Sequence, residues 1–246
     1  MKEKILKMIE KLGYAVTKVN VNRPCPDIAD AEFWNIYELC KPFTMTSVER
    51  MYALYSSVKY ILTNDVPGSF VECGVWRGGS SMLIAQMLMN RNITDRKIYL
   101  YDTFEGMTEP THNDVDISGK DAAAQFKEIE GGWCLADLAD VQQNMGRTHY
   151  PSESIVYVKG KVEDTIPATM PADAIALLRL DTDWYESTKH ELNHLYPKLI
   201  TKGVLIIDDY GHWEGCKKAV DEYFSEHQIN LLLNRIDYTC RVGIKL

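Results

Sequence analysis

Two apolar runs, each closed by acids, constrain this chain more than any other feature. The first reads Ala174-Ile175-Ala176-Leu177-Leu178-Arg179-Leu180 and passes into Asp181-Thr182-Asp183. The second reads Gly203-Val204-Leu205-Ile206-Ile207 and passes into Asp208-Asp209-Tyr210. Continuous apolar runs of this length are strands buried on both faces, the kind that parallel sheets contain. In open α/β sheets, ligands bind beyond the carboxyl ends of the strands, which is where these acids fall. Four carboxylates gathered there repel one another, and a hard divalent cation such as Mg²⁺, which prefers oxygen ligands, relieves the repulsion. The competing reading is a set of solvated strand-end acids with no ligand.

The surrounding pattern fits an α/β fold. Strands are expected at 69–73, 97–101, 155–159, 174–180 and 203–208, with a closing pair at 230–234 and 238–244. Helices are expected at 79–90, 120–145 (broken at Gly131-Gly132), 186–197 and 215–226. Such alternation implies helical crossovers and a mostly parallel sheet with helices on both faces. Residues 1–66 read as an N-terminal helical addition, a cap or oligomerisation segment. It carries an amphipathic stripe at Ile5, Leu6, Ile9 and Leu12 and an extended connection from Asn20 to Asp30. A helix through about Leu62 follows, opened by the capping box Thr46-x-x-Glu49. Residues 67–246 read as one domain with an insertion at 103–154. An insertion of about fifty residues is functional or partly helical, so a lid over the site is expected.

Charge and cysteine usage narrow the partners. A net charge of −8 disfavours a nucleic-acid backbone. The six cysteines (25, 40, 73, 134, 216 and 240) form no C-x-x-C pair, which fits reduced thiols in a cytoplasmic protein. No stretch is long and apolar enough to span a membrane, and Met1–Leu12 lacks the core of a signal peptide.

A glycine turn follows the first strand: Glu72-Cys73-Gly74-Val75-Trp76-Arg77-Gly78-Gly79-Ser80. Gly74 permits a tight turn and close approach of a ligand, and the helix after Gly79 offers free backbone N–H groups. Asp102 closes the second strand, about twenty residues on, where an acid binds ribose hydroxyls. A nucleoside ligand follows from that pair of features.

Together, Phe70-Val71-Glu72-Cys73-Gly74-Val75-Trp76-Arg77-Gly78-Gly79, Tyr101-Asp102-Thr103-Phe104-Glu105-Gly106-Met107, Leu180-Asp181-Thr182-Asp183-Trp184-Tyr185-Glu186 and Asp208-Asp209-Tyr210 resemble the macrocin O-methyltransferase family. These are enzymes that methylate sugar hydroxyls of glycosylated natural products. The resemblance runs from about Thr44 to Tyr223 and implies a class I methyltransferase fold with a seven-stranded sheet. It implies that S-adenosylmethionine is held by Glu72, Gly74, Gly78, Ser80, Asp102, Thr103, Val162 and Glu163. It implies Mg²⁺ on Asp181, Asp208 and Asp209, with Asp181 and Asp183 catalytic and Asp183 the candidate base. Related catechol-type enzymes carry a lysine three positions after the first metal aspartate. Trp184 stands there in this chain, so a lysine base does not transfer.

The expected function is therefore Mg²⁺-dependent O-methylation of a sugar hydroxyl on a small glycoside, by a cytoplasmic homodimer or higher homo-oligomer. Catechol or other vicinal-diol methylation is one alternative, and a binding protein that has lost turnover is another. A third comes from His190-Glu191-Leu192-Asn193-His194, which matches the H-E-x-x-H helix of zinc peptidases. Its two histidines point away from the stripe formed by Thr188, Leu192, Leu195 and Leu199, and are expected to face solvent. Trp184, Tyr185, Trp213 and His212 flank the acids and are candidate walls of an acceptor pocket.

Overall fold

The structure, a computed structural model, describes residues 25–129 and 132–246. The chain divides into two compact units, Met1–Ala31 and Glu32–Leu246. Of the first, only Cys25–Ala31 are described. The stripe from Ile5 to Leu12 and the start of the Asn20–Asp30 connection lie outside the described residues.

Five parallel strands form the centre of the second unit: β1 (Ser69–Cys73), β2 (Ile98–Asp102), β3 (Ile155–Lys159), β4 (Ile175–Leu180) and β5 (Leu199–Ile207). Two antiparallel strands, β6 (Asn234–Arg235) and β7 (Arg241–Ile244), complete the sheet in the order β3-β2-β1-β4-β5-β7-β6. Every residue of β1 and β4 is buried, as the continuous apolar runs require. Register then sets the site. Cys73 pairs with Tyr101 and with Leu180, and Leu180 pairs with Ile207. The residues that follow these partners therefore emerge side by side at one edge. Backbone bonds extend the ladder into the loops: Gly74 N to Tyr101 O at 2.9 Å, Asp181 N to Cys73 O at 2.8 Å and Asp208 N to Leu180 O at 2.9 Å.

Helices α1 (Ala31–Cys40), α2 (Val48–Thr63) and α3 (Gly79–Met89) precede and follow β1. α2 buries Met51, Leu54, Tyr55, Val58 and Ile61 and packs on α3, β4 and β5. Its N-cap is Ser47, whose hydroxyl accepts from Arg50 N, one residue later than the expected Thr46 cap; Thr46 instead bonds Thr44. The opposite face of the sheet, with Val71, Cys73, Leu178, Leu180, Leu205 and Ile207, is covered by Leu192 and Leu195 of α7 (Tyr185–Leu195) and by Val220 and Tyr223 of α8 (Glu214–Glu226).

Several boundaries differ from expectation for identifiable reasons. The helix expected at 120–145 is two helices, α4 (Ala122–Glu128) and α5 (Leu138–Gly146), each opened by an aspartate cap, Asp121 and Asp137. Gly132 and Cys134 both lie at positive φ, so the break is wider than a glycine pair; Gly131 lies outside the described residues. A short helix, α6 (Val162–Thr165), follows β3. β5 starts at Leu199 rather than 203, because a register shift in its pairing with β4 absorbs the extra residues around Lys202. The strand expected at 230–234 is reduced to a two-residue pairing. Leu231 and Leu233 pack on the core from an irregular segment instead.

Candidate active site

A cleft of about 250 Å³ opens at the carboxyl edge of the sheet. One end is the glycine turn, with Glu72, Gly74 and Ser80, and the other is the acidic floor, with Asp181, Asp183, Asp208 and Asp209. Asp102, Thr103, Val162 and Glu163 line it between β2 and β3. Gly78 does not line it. Gly78 is the N-cap of α3 at φ 90°, where an added Cβ would make only ordinary contact with Val141, so its role here is to turn the chain. Gly74 is under closer constraint: at φ 81°, an added Cβ would fall on the Asp181 carbonyl oxygen.

Asp102 does more than face the cleft. Its Oδ2 accepts from Val75 N at 2.6 Å and Trp76 N at 3.2 Å, and its Oδ1 accepts from Phe104 N at 2.7 Å. The acid expected to hold ribose thus also pins the glycine turn, and a ribose must share its remaining lone pairs.

Asp181, Asp208 and Asp209 offer ligand oxygens that all lie within 4.8 Å of one another. Between them and Glu72 runs a buried guanidinium. Arg179, 3% exposed, donates to Glu72 Oε1 at 2.7 Å, Asp181 Oδ2 at 2.6 Å and Asp208 Oδ1 at 2.7 Å. Arg50, from α2, reaches Asp208 Oδ2 with Nη1 and faces Asp237 with Nε at 3.2 Å. Two arginines, Arg50 and Arg179, therefore face the five acids Glu72, Asp181, Asp183, Asp208 and Asp209. Burial, together with repulsion from Asp208 and Asp209, holds Asp181 well above the usual carboxylate range despite Arg179. Burial and the charges of Asp183 and Asp208 do the same to Asp209. Asp209 Oδ2 is buried and faces no donor. An all-oxygen donor set with one orphaned oxygen and uncompensated charge fits a hard divalent cation sharing the cluster with Arg179.

Asp183 lies beside Asp209, and burial pushes its carboxyl up to about 7. Cys134, contributed by the insertion, also lines the cleft, but burial pushes its thiol up to about 12, so it is no thiolate nucleophile.

The insertion is tied down rather than free. Asp114, fully buried, accepts from Tyr185 N at 2.8 Å and from Thr111 N at 2.7 Å, so it caps α7 from outside. Arg77 of the glycine turn holds Asp140 of α5 through two bonds, 2.7 and 2.8 Å. Trp133 packs edge-on against Trp184 and Trp213, whose rings are 4.9 Å apart. These tryptophans support the insertion and do not line the cleft, and His212 packs on Trp213 and Tyr238.

The H-E-x-x-H segment builds no metal site. His190 Nε2 meets the Ile166 carbonyl at 2.9 Å and His194 Nδ1 the His190 carbonyl at 2.8 Å. The two rings lie 4.2 Å apart, tilted by 34°, and are half-buried, not solvent-facing as expected. Glu191 points into the core, fully buried.

A seven-stranded sheet in this order, with a glycine turn after β1 and an acid at the end of β2, is the fold of class I S-adenosylmethionine-dependent methyltransferases. The comparisons with known proteins carry this to the family. The family described as Macrocin-O-methyltransferase (TylF) matches residues 38–242, and the chain belongs to it. The chain is 34% identical over 194 residues to the demethyldecarbamoylnovobiocin O-methyltransferase of Streptomyces niveus, covering 79% of this chain and 72% of that protein. It is also 34% identical over 194 residues to the mycinamicin III 3''-O-methyltransferase of Micromonospora griseorubida, covering 79% and 75%. Among solved structures, the O-methyltransferase NovP matches with a TM-score of 0.74 at 31% identity, over 82% of each chain. The calicheamicin methyltransferase CalS11, at 18% identity and a TM-score of 0.64, covers 94% of this chain and 98% of its own; it shares the fold.

Proposed function

We propose that this enzyme methylates a sugar hydroxyl of a glycosylated small molecule in a Mg²⁺-dependent reaction. The observation that carries the reading is the Asp181, Asp208 and Asp209 trio at the floor of the cleft, with Asp183 beside it. The relatives named for methylation of a novobiocin precursor and of mycinamicin III support a glycoside acceptor. When bound, S-adenosylmethionine supplies an activated methyl group, and Mg²⁺ supplies a Lewis acid that lowers the pKa of a hydroxyl.

The chain's own residues then have these tasks. Glu72, Gly74 and Ser80 receive the methionine end of the cofactor. Asp102 and Thr103 receive the ribose, and Val162 and Glu163 flank the adenine. Asp181, Asp208 and Asp209 hold the cation, and Arg179 fixes two of those carboxylates and Glu72 in one orientation. An Asp183 oxygen accepts the proton of the acceptor hydroxyl. Free cysteines throughout the described residues support a reducing, cytoplasmic setting. Calorimetric titration of Mg²⁺ into the wild type and into Asp209→Asn tests the cation reading. One equivalent bound by the wild type and none by the variant is expected; equal binding by both overturns the assignment.

A further inference from the structure

Thr182 separates the two aspartates to which chemistry is assigned. Its carbonyl accepts from Trp184 N, two residues on, at 2.7 Å, and Asp183 between them lies at φ 68°. This is a γ-turn centred on Asp183, in the left-handed form that is rare and strained. A non-glycine residue persists in such a conformation only where its surroundings over-determine it.

The surroundings here are specific. Thr182 Oγ1 donates to Glu191 Oε1 at 3.0 Å. Ser187 Oγ donates to the Thr182 carbonyl at 3.4 Å and to the Trp184 carbonyl at 3.2 Å. Trp184 Nε1 donates to Thr108 O at 3.0 Å, so the residue leaving the turn is fixed to the insertion. Glu191 is fully buried, and its Oε2 makes no geometric hydrogen bond, with the Cys73 thiol near its carboxylate. Burying a carboxyl group is costly unless its hydrogen bonds are made, yet this one holds the hydroxyl of a residue in the cleft wall. The glutamate of the H-E-x-x-H segment thereby gains a role that the zinc reading missed.

We propose that Thr182 and Glu191 are positioning residues for methyl transfer: their hydrogen bond holds the strained turn that aims the Asp183 carboxylate at the acceptor hydroxyl. The inference rests on the reading of Asp183 as the base, so the test separates the two. Turnover and acceptor KM are measured for Thr182→Val, Thr182→Ser, Asp183→Asn and the double variant Thr182→Val/Asp183→Asn. S-adenosylhomocysteine affinity and thermal midpoint are measured for each variant as controls of folding. Asp183→Asn should lower kcat by on the order of 10²–10⁴-fold. Thr182→Val, which keeps shape and loses the donor, should lower kcat by up to about 10²-fold with little change in KM. Thr182→Ser should restore it, and Thr182→Val should add nothing in the Asp183→Asn background. Unchanged turnover in Thr182→Val beside an inactive Asp183→Asn overturns this inference alone. An equal loss in both backgrounds also overturns it, because Thr182 then acts on something other than Asp183. Near-normal turnover in Asp183→Asn overturns the base reading and this inference with it.

Discussion

Arg179→Met is the sharpest test of how the acidic floor is held. The guanidinium is 3% exposed and reaches Glu72, Asp181 and Asp208, three carboxylates on three different strand ends. Methionine fills much of the space and leaves those acids unpaired. Removing one partner of a buried ion pair costs roughly 3–5 kcal/mol, because the remaining charge stays desolvated. In a domain of this size, each kcal/mol moves the thermal midpoint by about 2–4 °C, so a fall of roughly 6–20 °C is expected in metal-free buffer. If the aspartate trio accepts Mg²⁺, a concentration a hundredfold above Kd returns about 2.7 kcal/mol. Much of the loss should then be recovered, and more than the wild type gains from the same addition. Differential scanning fluorimetry with and without MgCl₂ reads both effects. A midpoint within about 2 °C of the wild type in chelator would mean that the carboxylates are compensated without Arg179, contrary to the expected loss.

Three further outcomes follow from the same geometry. Gly74→Ala should cost roughly 2–5 kcal/mol in urea unfolding, since it combines a positive φ with a Cβ on the Asp181 carbonyl; near-wild-type stability contradicts the turn geometry. Asp114→Ala strips α7 of its cap and leaves Tyr185 N and Thr111 N without an acceptor, so a loss of about 1–3 kcal/mol is expected by the same assay. Hydrogen bonds from Arg77 hold the Asp140 carboxyl below its ordinary value of 3.8. Its stabilising contribution is therefore full above that value and lost as pH falls through the lower folded-state value. Asp140→Asn should remove on the order of 0.5 kcal/mol at pH 7 and make stability less sensitive to pH below 4; an unchanged acid profile counts against the pair.

How far the site could be read from the chain depended on whether a residue's partner was local. β1, β4 and β5 were legible because an apolar run ending in acids has few other solutions. Parallel register then brings Asp102, Asp181 and Asp208 to one edge without further information. Arg179 was visible as a lone charge inside an apolar run, and such a charge must have partners, but beyond the local Asp181 they are Glu72 and Asp208, at the ends of two other strands. Arg50 gave no signal at all: an arginine on a helix reads as a solvated face, and Asp208 is 158 residues away. The H-E-x-x-H spacing identified a shared helix face correctly, yet what covers that face is a tertiary matter. The Ile166 carbonyl, which meets His190, settles it here. The break between α4 and α5 was legible at Gly131-Gly132, but its width and the start of β5 were not, since bulges and positive-φ residues interrupt a pattern without changing its composition.

The acidic floor and the glycine turn are together proposed to perform metal-dependent methylation of a sugar. The most direct measurement is mass spectrometry of deoxysugar glycosides incubated with the purified enzyme and S-adenosylmethionine, with Mg²⁺ or with excess chelator. A gain of one methyl group on a sugar hydroxyl, abolished by chelator and restored by Mg²⁺, is the predicted result. Methylation of a catechol with none on any sugar, or sugar methylation indifferent to the chelator, would contradict it.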